Sequence, residues 1–190
     1  MAYITIDQAI RASEDAGLSR SAAESEIRKS AASSMDTEFG IFMSHSYEDA
    51  KVITGIKRIV EKRTGLSVYV DWIEDAQMDR SDVTPQTASV LRQRMRHCQF
   101  MLYATSRTSS NSRWMPWELG YFDGLRENRV GILPIAQTSS DSFSGQEYLG
   151  LYPFYEVINF IGIGKSIGRF TSGTRQGVRL VTEAQSAVGA

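Results

Sequence analysis

The chain has 190 residues, 42% of them hydrophobic, 10% aromatic and 23% charged, which suits one globular domain with a core and room for an appendage. A formal net charge of -1 and a pI near 6.1 argue against a dedicated nucleic-acid binder, whose phosphate contacts need an excess of Lys and Arg on one face. A single cysteine, Cys98, excludes an internal disulfide, and with only His45 and His97 it makes no metal site unless several carboxylates join in.

The first residues lack the basic start and apolar run of a signal peptide, and no stretch approaches the roughly 20 apolar residues that span a bilayer. The expectation is a soluble, cytoplasmic protein with no membrane partner. Two capping boxes follow, Thr5-x-x-Gln8 and Ser21-x-x-Glu24, each opening a short helix. Their apolar stripes, Ile6, Ala9 and Ile10, then Ala23, Ile27 and Ala31, are too thin for either helix to stand alone, so both must dock on something. A polar connector ends this part, and residues 1–37 are read as a helical extension to a domain over 38–190.

From Phe39 onward, apolar runs of strand length alternate with helical patterns, the signature of βαβ units and a parallel sheet. Strands are expected at Phe39–Met43, Ser67–Val70, Phe100–Ala104, Val130–Ile135 and Tyr155–Phe160. The first helix has Ser46 as its expected N-cap, a stripe of Val52, Ile53, Ile56, Ile59 and Val60, and Gly65 as its stop. The next starts at Thr84-Pro85, a cap followed by proline at the first helical position. A third begins near Ser112 and carries Trp114, Trp117, Glu118 and Tyr121. Gln137–Gly145 reads as a polar loop and Thr174–Ala187 as a last helix.

Ligands of an open parallel sheet bind beyond the carboxyl ends of its strands. After the first strand, Ser44, His45, Ser46 and a helix N-terminus could face a phosphate, or Ser46 and Asp49 could simply cap the helix. After the second come Asp71, Trp72 and a loop longer than the usual α/β connection. Trp72 could stack on a heterocycle, although packing is the commoner task of such a residue. After the third, Trp114 and Glu118 stand four apart on one helical face, a ring beside a negative charge that suits a cationic sugar. Trp117 reads as core. Glu118, among Trp114, Trp117, Leu119 and Tyr121, is a carboxylate in apolar company and needs a partner or a task. No Walker A, nucleophile elbow or dinucleotide fingerprint occurs, and His97 and Cys98 read as structural.

These stretches, Phe39–Asp49, Gly65–Asp71, Arg96–Ser106 and Ser112–Gly120, resemble in order and spacing the Toll and interleukin receptor homology (TIR) family, over about residues 38 to 160. The family's W-x-x-x-E motif falls on Trp114 and Glu118, and its BB loop on Trp72–Pro85. The wording looks closest to the TIR proteins of bacterial Thoeris anti-phage systems, though the basic residues often found after the family's first strand are here Ser44, His45 and Ser46.

The resemblance implies a flavodoxin-like α/β fold, a five-stranded parallel sheet of order 2-1-3-4-5. It also implies cleavage of the nicotinamide–ribose bond of NAD to a cyclic or related ADP-ribose messenger that activates a separate effector. Glu118 would be catalytic, with Trp114, His45, Ser46, Asp71, Trp72 and Ser112 around the substrate. No cofactor is expected, because NAD is consumed. Self-association through Trp72–Pro85 and a phage-derived activator are the expected controls. The competing reading is a non-catalytic adaptor that self-associates through the same loop.

Overall fold

The computed structural model describes residues 3–14, 35–75, 83–138, 141 and 145–155. The second capping box, the helix expected at Thr174–Ala187 and all but the first residue of the Tyr155–Phe160 strand lie outside them. In chain order the elements are β1 (Ile4–Thr5), α1 (Ile6–Glu14), β2 (Phe39–Ser44), α2 (Ala50–Thr64), β3 (Val68–Tyr69), α3 (Asp71–Glu74), α4 (Pro85–Arg96), β4 (Cys98–Thr105), α5 (Met115–Leu125) and β5 (Val130–Ala136). Short 3-10 turns at Tyr47–Asp49, Ser109–Asn111 and Glu147–Leu151 complete the set.

All strand pairs are parallel, and the order is β1-β5-β4-β2-β3. Side chains alternate across the sheet. Ile41, Met43, Leu102 and Ile135 meet Ile53 and Ile56 of α2 and Ala9 of α1, while Phe42, Met101, Tyr103 and Ile132 meet Leu91 and Met95 of α4 and Leu119 and Phe122 of α5. The result is the flavodoxin-like three-layer sandwich that alternating strands and helices imply.

The helix ends follow local chemistry. Thr84 accepts a hydrogen bond from the Thr87 N–H, and Pro85 opens α4. Gly65 ends α2 at φ 71°, a left-handed backbone that glycine adopts without a Cβ clash. β3 is an outer strand, so the N–H and C=O of Val68 point away from β2. Glu61 Oε1 accepts from that N–H at 3.0 Å and Lys57 Nζ donates to that C=O at 2.7 Å, while the two side chains pair with each other.

The far side of β5 departs from the expected order. Beside Ile135 and Ala136 lies β1, and beside Ile132 the chain returns at Phe154, so two segments share the place of the expected fifth strand. Ile132 spends its N–H and C=O on Pro153 and Tyr155. By alternation the missing N–H of Pro134 faces the same outer side, where pairing passes from one segment to the other and a donor is not needed.

The extension is therefore not helical alone. The Thr5–Gln8 capping box closes both ways, Gln8 N–H to Thr5 Oγ1 at 3.2 Å and Thr5 N–H to Gln8 Oε1 at 3.1 Å, and turns the chain from β1 straight into α1. The thin stripe of α1 docks on α2 where Gly55 lets the backbones touch: a Cβ at Gly55 would lie 1.8 Å from the Ala9 carbonyl oxygen. Arg58 Nη1 donates to the Ser13 carbonyl, a cation at the end of α1 where the helix dipole is negative.

Gly55→Ala should therefore push α1 off α2, destabilising the protein by about 1–3 kcal/mol as an overpacked core does. A lower melting temperature is expected, with a larger gain in amide exchange over residues 3–14 than in β2 and β4. Wild-type exchange over residues 3–14 would show that this packing is wrong.

Candidate functional site

The sheet reverses its winding between β2 and β4, and the loops leaving the carboxyl ends of these two strands form the crevice where ligands of such sheets bind. Ser44 ends β2 opposite Tyr103 of β4, on the sheet face that α5 covers. The first turn of α5 is set by Ser112, whose Oγ accepts from the Met115 N–H at 3.3 Å, and by the Glu118 N–H bonding to the Trp114 carbonyl at 2.8 Å. That start carries the Glu118 carboxylate inward, to 0% exposure, where Ser44 Oγ donates to its Oε2 at 2.6 Å. Beside it Tyr103 is held protonated: burial raises its phenol well above the ordinary value, and the nearby Tyr148 and Glu118 add to the effect.

Trp114 is 5% exposed, its ring edge-on to Trp117 at 5.4 Å, and it belongs to the core beneath α5. Trp117, expected in the core, is only half-buried. It stacks on Tyr121, and the Arg92 guanidinium lies 5.3 Å from its ring centre. The cation supplies a reason for an indole to remain partly in water.

His45, Asp71 and Trp72 come together at the ends of β2 and β3. His45 Nδ1 lies 2.9 Å from the Met43 carbonyl, which can only accept, so Nδ1 carries the hydrogen. Its Nε2 accepts from Trp72 Nε1 at 3.1 Å and lies 3.4 Å from Asp71 Oδ1. Both ring nitrogens are thus engaged inside the protein, and Ser46 next to it is also buried.

Neither Ser46 nor Asp49 caps a helix through its side chain. Asp49 instead accepts from Ser106 Oγ at 2.6 Å and from Thr108 Oγ1 at 3.2 Å, tying the turn after β2 to the loop after β4 across the crevice. Ser109 Oγ accepts from the Ser106 N–H at 2.7 Å and fixes the same loop. A cavity of about 200 Å³ lies beyond it, lined by Thr105, Ser106, Arg107, Ser110, Gly145 and Gln146. Glu118 is not among its walls.

The long loop after β3 is anchored at its start. Asp75 turns inward, accepting two bonds from Arg94 of α4, Nε to Oδ2 at 2.9 Å and Nη2 to Oδ1 at 2.7 Å, and a third from the Tyr69 hydroxyl at 2.7 Å. Burial pulls the Arg94 pKa down, but the bond and charge of Asp75 outweigh it and the net direction is up. The Tyr69 phenol is pushed well up by burial, then by Asp75 and Asp71. Asp75 is therefore engaged within this fold. The other charged residues of that loop, Asp79, Arg80 and Asp82, lie outside the described residues.

No family model matches the chain. Over 117 residues it is 55% identical to a Bacillus cereus (strain MSX-D12) protein named "Probable 3' cyclic ADP-D-ribose synthase ThsB'", a match covering 61% of this chain and 60% of that one. Over 84 residues it is 32% identical to a Cytobacillus dafuensis protein named "Putative cyclic ADP-D-ribose synthase TIR2", covering 44% and 22%. Both relatives are named as cyclic ADP-D-ribose synthases, in keeping with the resemblance to the bacterial TIR proteins of Thoeris systems. The chain spans less than two thirds of the length of either relative. Among the described residues no helix is long and apolar enough to cross a membrane, and no three His, Cys, Asp or Glu residues gather as metal ligands.

Sequence reasoning did not find the partner of Glu118, the bridge from Asp49 or the Asp75–Arg94 pair. Ser44 was within reach, since it shares strand parity with the buried Phe42. The other two join residues 57 to 59 and 19 positions apart and leave no local pattern.

Asp75→Ala should cost about 3–5 kcal/mol, because it leaves the Arg94 cation buried without its carboxylate. Tyr69→Phe, which removes one hydroxyl, should cost about 1 kcal/mol. Urea unfolding of both variants measures the difference, and similar losses in the two would mean that the ion pair is not the anchor.

Proposed function

We propose that this TIR domain breaks the nicotinamide–ribose bond of NAD, with Glu118 as the catalytic carboxylate, and releases a cyclic ADP-ribose signal in cytoplasmic anti-phage defence. The observation that carries the reading is a fully enclosed carboxylate, hydrogen-bonded to Ser44, at the crevice where the sheet reverses. The names of both relatives, each a cyclic ADP-D-ribose synthase, support it.

Nicotinamide is a cationic leaving group and needs no general acid. Its C–N bond breaks with the electron pair going to the ring nitrogen, and positive charge grows on the ribose in an oxocarbenium-like transition state. An ionised Glu118 offsets that charge, more strongly in a dry site than in water. Capture by water gives ADP-ribose, whereas capture by an adenine nitrogen or ribose hydroxyl of the same molecule gives a cyclic product. The enclosure of Glu118 and Trp114 favours the second, because little water competes. In this reading Trp114 and Ser112 orient the end that reacts, and His45, Ser46, Asp71 and Trp72 form the wall toward the phosphates. An adaptor would leave a buried, hydrogen-bonded carboxylate without a task.

The same enclosure implies control. Substrate reaches Glu118 only when the surrounding loops move, so the isolated protein should turn over slowly and speed up on self-association or on binding a phage component, with the product acting on a separate effector.

Glu118→Gln should lower nicotinamide release by about 100-fold or more with the melting curve unchanged. Wild-type turnover in the folded Gln variant would sink the assignment. Trp114→Ala should lower turnover too, but it opens a core cavity costing about 3–5 kcal/mol, so its activity must be compared at equal folded fraction. Turnover per subunit measured across a wide concentration range tests the control: a rate that is high and flat in dilute solution removes the need for assembly.

A further inference from the structure

Resting on Glu118 as the catalytic carboxylate, we propose that Ser44 is its positioning residue: the hydroxyl keeps the buried carboxylate ionised and aimed into the crevice. A carboxylate withdrawn from water is pushed toward its neutral form, and donors that bond the anion oppose this. The Ser44–Glu118 distance of 2.6 Å lies in the short range of hydroxyl–carboxylate bonds with a charged acceptor.

The donor is held on both sides. Ser44 is the last residue of β2, in register with Tyr103 of β4, so its backbone cannot swing, and its side chain is 1% exposed. Its strand neighbour His45 is locked by the Met43 carbonyl and by Trp72, which fixes the chain just beyond it. Glu118 comes from α5, a separate element, so the bond also sets how that helix meets the sheet edge.

Among the described residues, the titratable groups near this point are these. Tyr103 lies on β4 and stays protonated by burial, with Tyr148 near but not in hydrogen-bond geometry. Asp49 is committed to Ser106 and Thr108, and Asp71 and His45 face each other on the far side of Ser44. The described structure thus joins Glu118 to a donor that carries no charge of its own and does not change protonation in the working pH range.

Ser44→Ala, Ser44→Thr and Ser44→Cys variants of the full chain test the assignment by the pH dependence of nicotinamide release. In Ser44→Ala the anion loses the Ser44 donor. The acidic limb of the rate profile should then move up by about one pH unit, kcat at neutral pH should fall about tenfold, and KM should stay within about twofold. Ser44→Thr, which keeps the hydroxyl, should restore both, and Ser44→Cys, with a weak donor, should fall between them. A merely structural serine would lower the folded fraction without moving the limb.

The second readout needs no turnover. The carboxyl carbon of Glu118, identified by its loss from the Glu118→Gln spectrum, should titrate at higher pH in Ser44→Ala than in wild type. An unmoved titration and an unmoved limb in a folded Ala or Cys variant overturn the positioning role. A wild type that releases no nicotinamide under any condition overturns the catalytic reading instead, while the carboxyl titration still decides the role of Ser44.

Discussion

Placing a carboxylate beneath a sheet edge is the constraint around which this domain is arranged. An ionised side chain leaves water at a cost of several kcal/mol unless donors await it, and Glu118 finds one in Ser44, the last residue of β2, held in register with Tyr103 of β4. The apolar residues that drive α5 against the sheet, Met115, Leu119 and Phe122, therefore also carry the charge inward. Packing and chemistry are not separable here: the same helix face supplies both.

Loops above that point are fastened by bonds between distant segments. Asp49 holds the loop after β4, His45 holds Trp72, and Asp75 holds Arg94 under the start of the loop after β3. Each fastening is polar and buried or half-buried, which makes it specific in geometry and sensitive to rearrangement. Together they keep the Glu118 carboxylate from water.

The fold was legible where local pattern and tertiary outcome agree. Phe39–Met43, Phe100–Ala104 and Val130–Ile135 are apolar runs too short for a buried helix, and Thr84-Pro85 and Gly65 mark helix ends by their own backbone preferences. β1 was not legible, since two residues show no alternation and the capping box at Thr5 points to a helix. Asp49 looked like a cap because a cap is a local solution, and the hydroxyls it binds come from a loop that the chain reaches only after another βα unit. Arg94, on a helix of mostly polar residues, carries no local sign that it lies against the Tyr69 ring beside Asp75. Glu118 stood out by its apolar neighbours. Its partner did not, because a serine at a strand end is unremarkable until the register is known.

The borders of the sheet bear on how copies of the domain can meet. Val68, the residue through which another chain would add a strand beside β3, already has its N–H taken by Glu61 and its C=O by Lys57. At the opposite border β1 offers two residues, too few to template a partner. Among the described residues continuous β-augmentation is thereby discouraged on both flanks, which leaves helix faces and loops as the surfaces for contacts between copies. Such contacts can form and release without unpicking the sheet that holds Ser44 against Glu118.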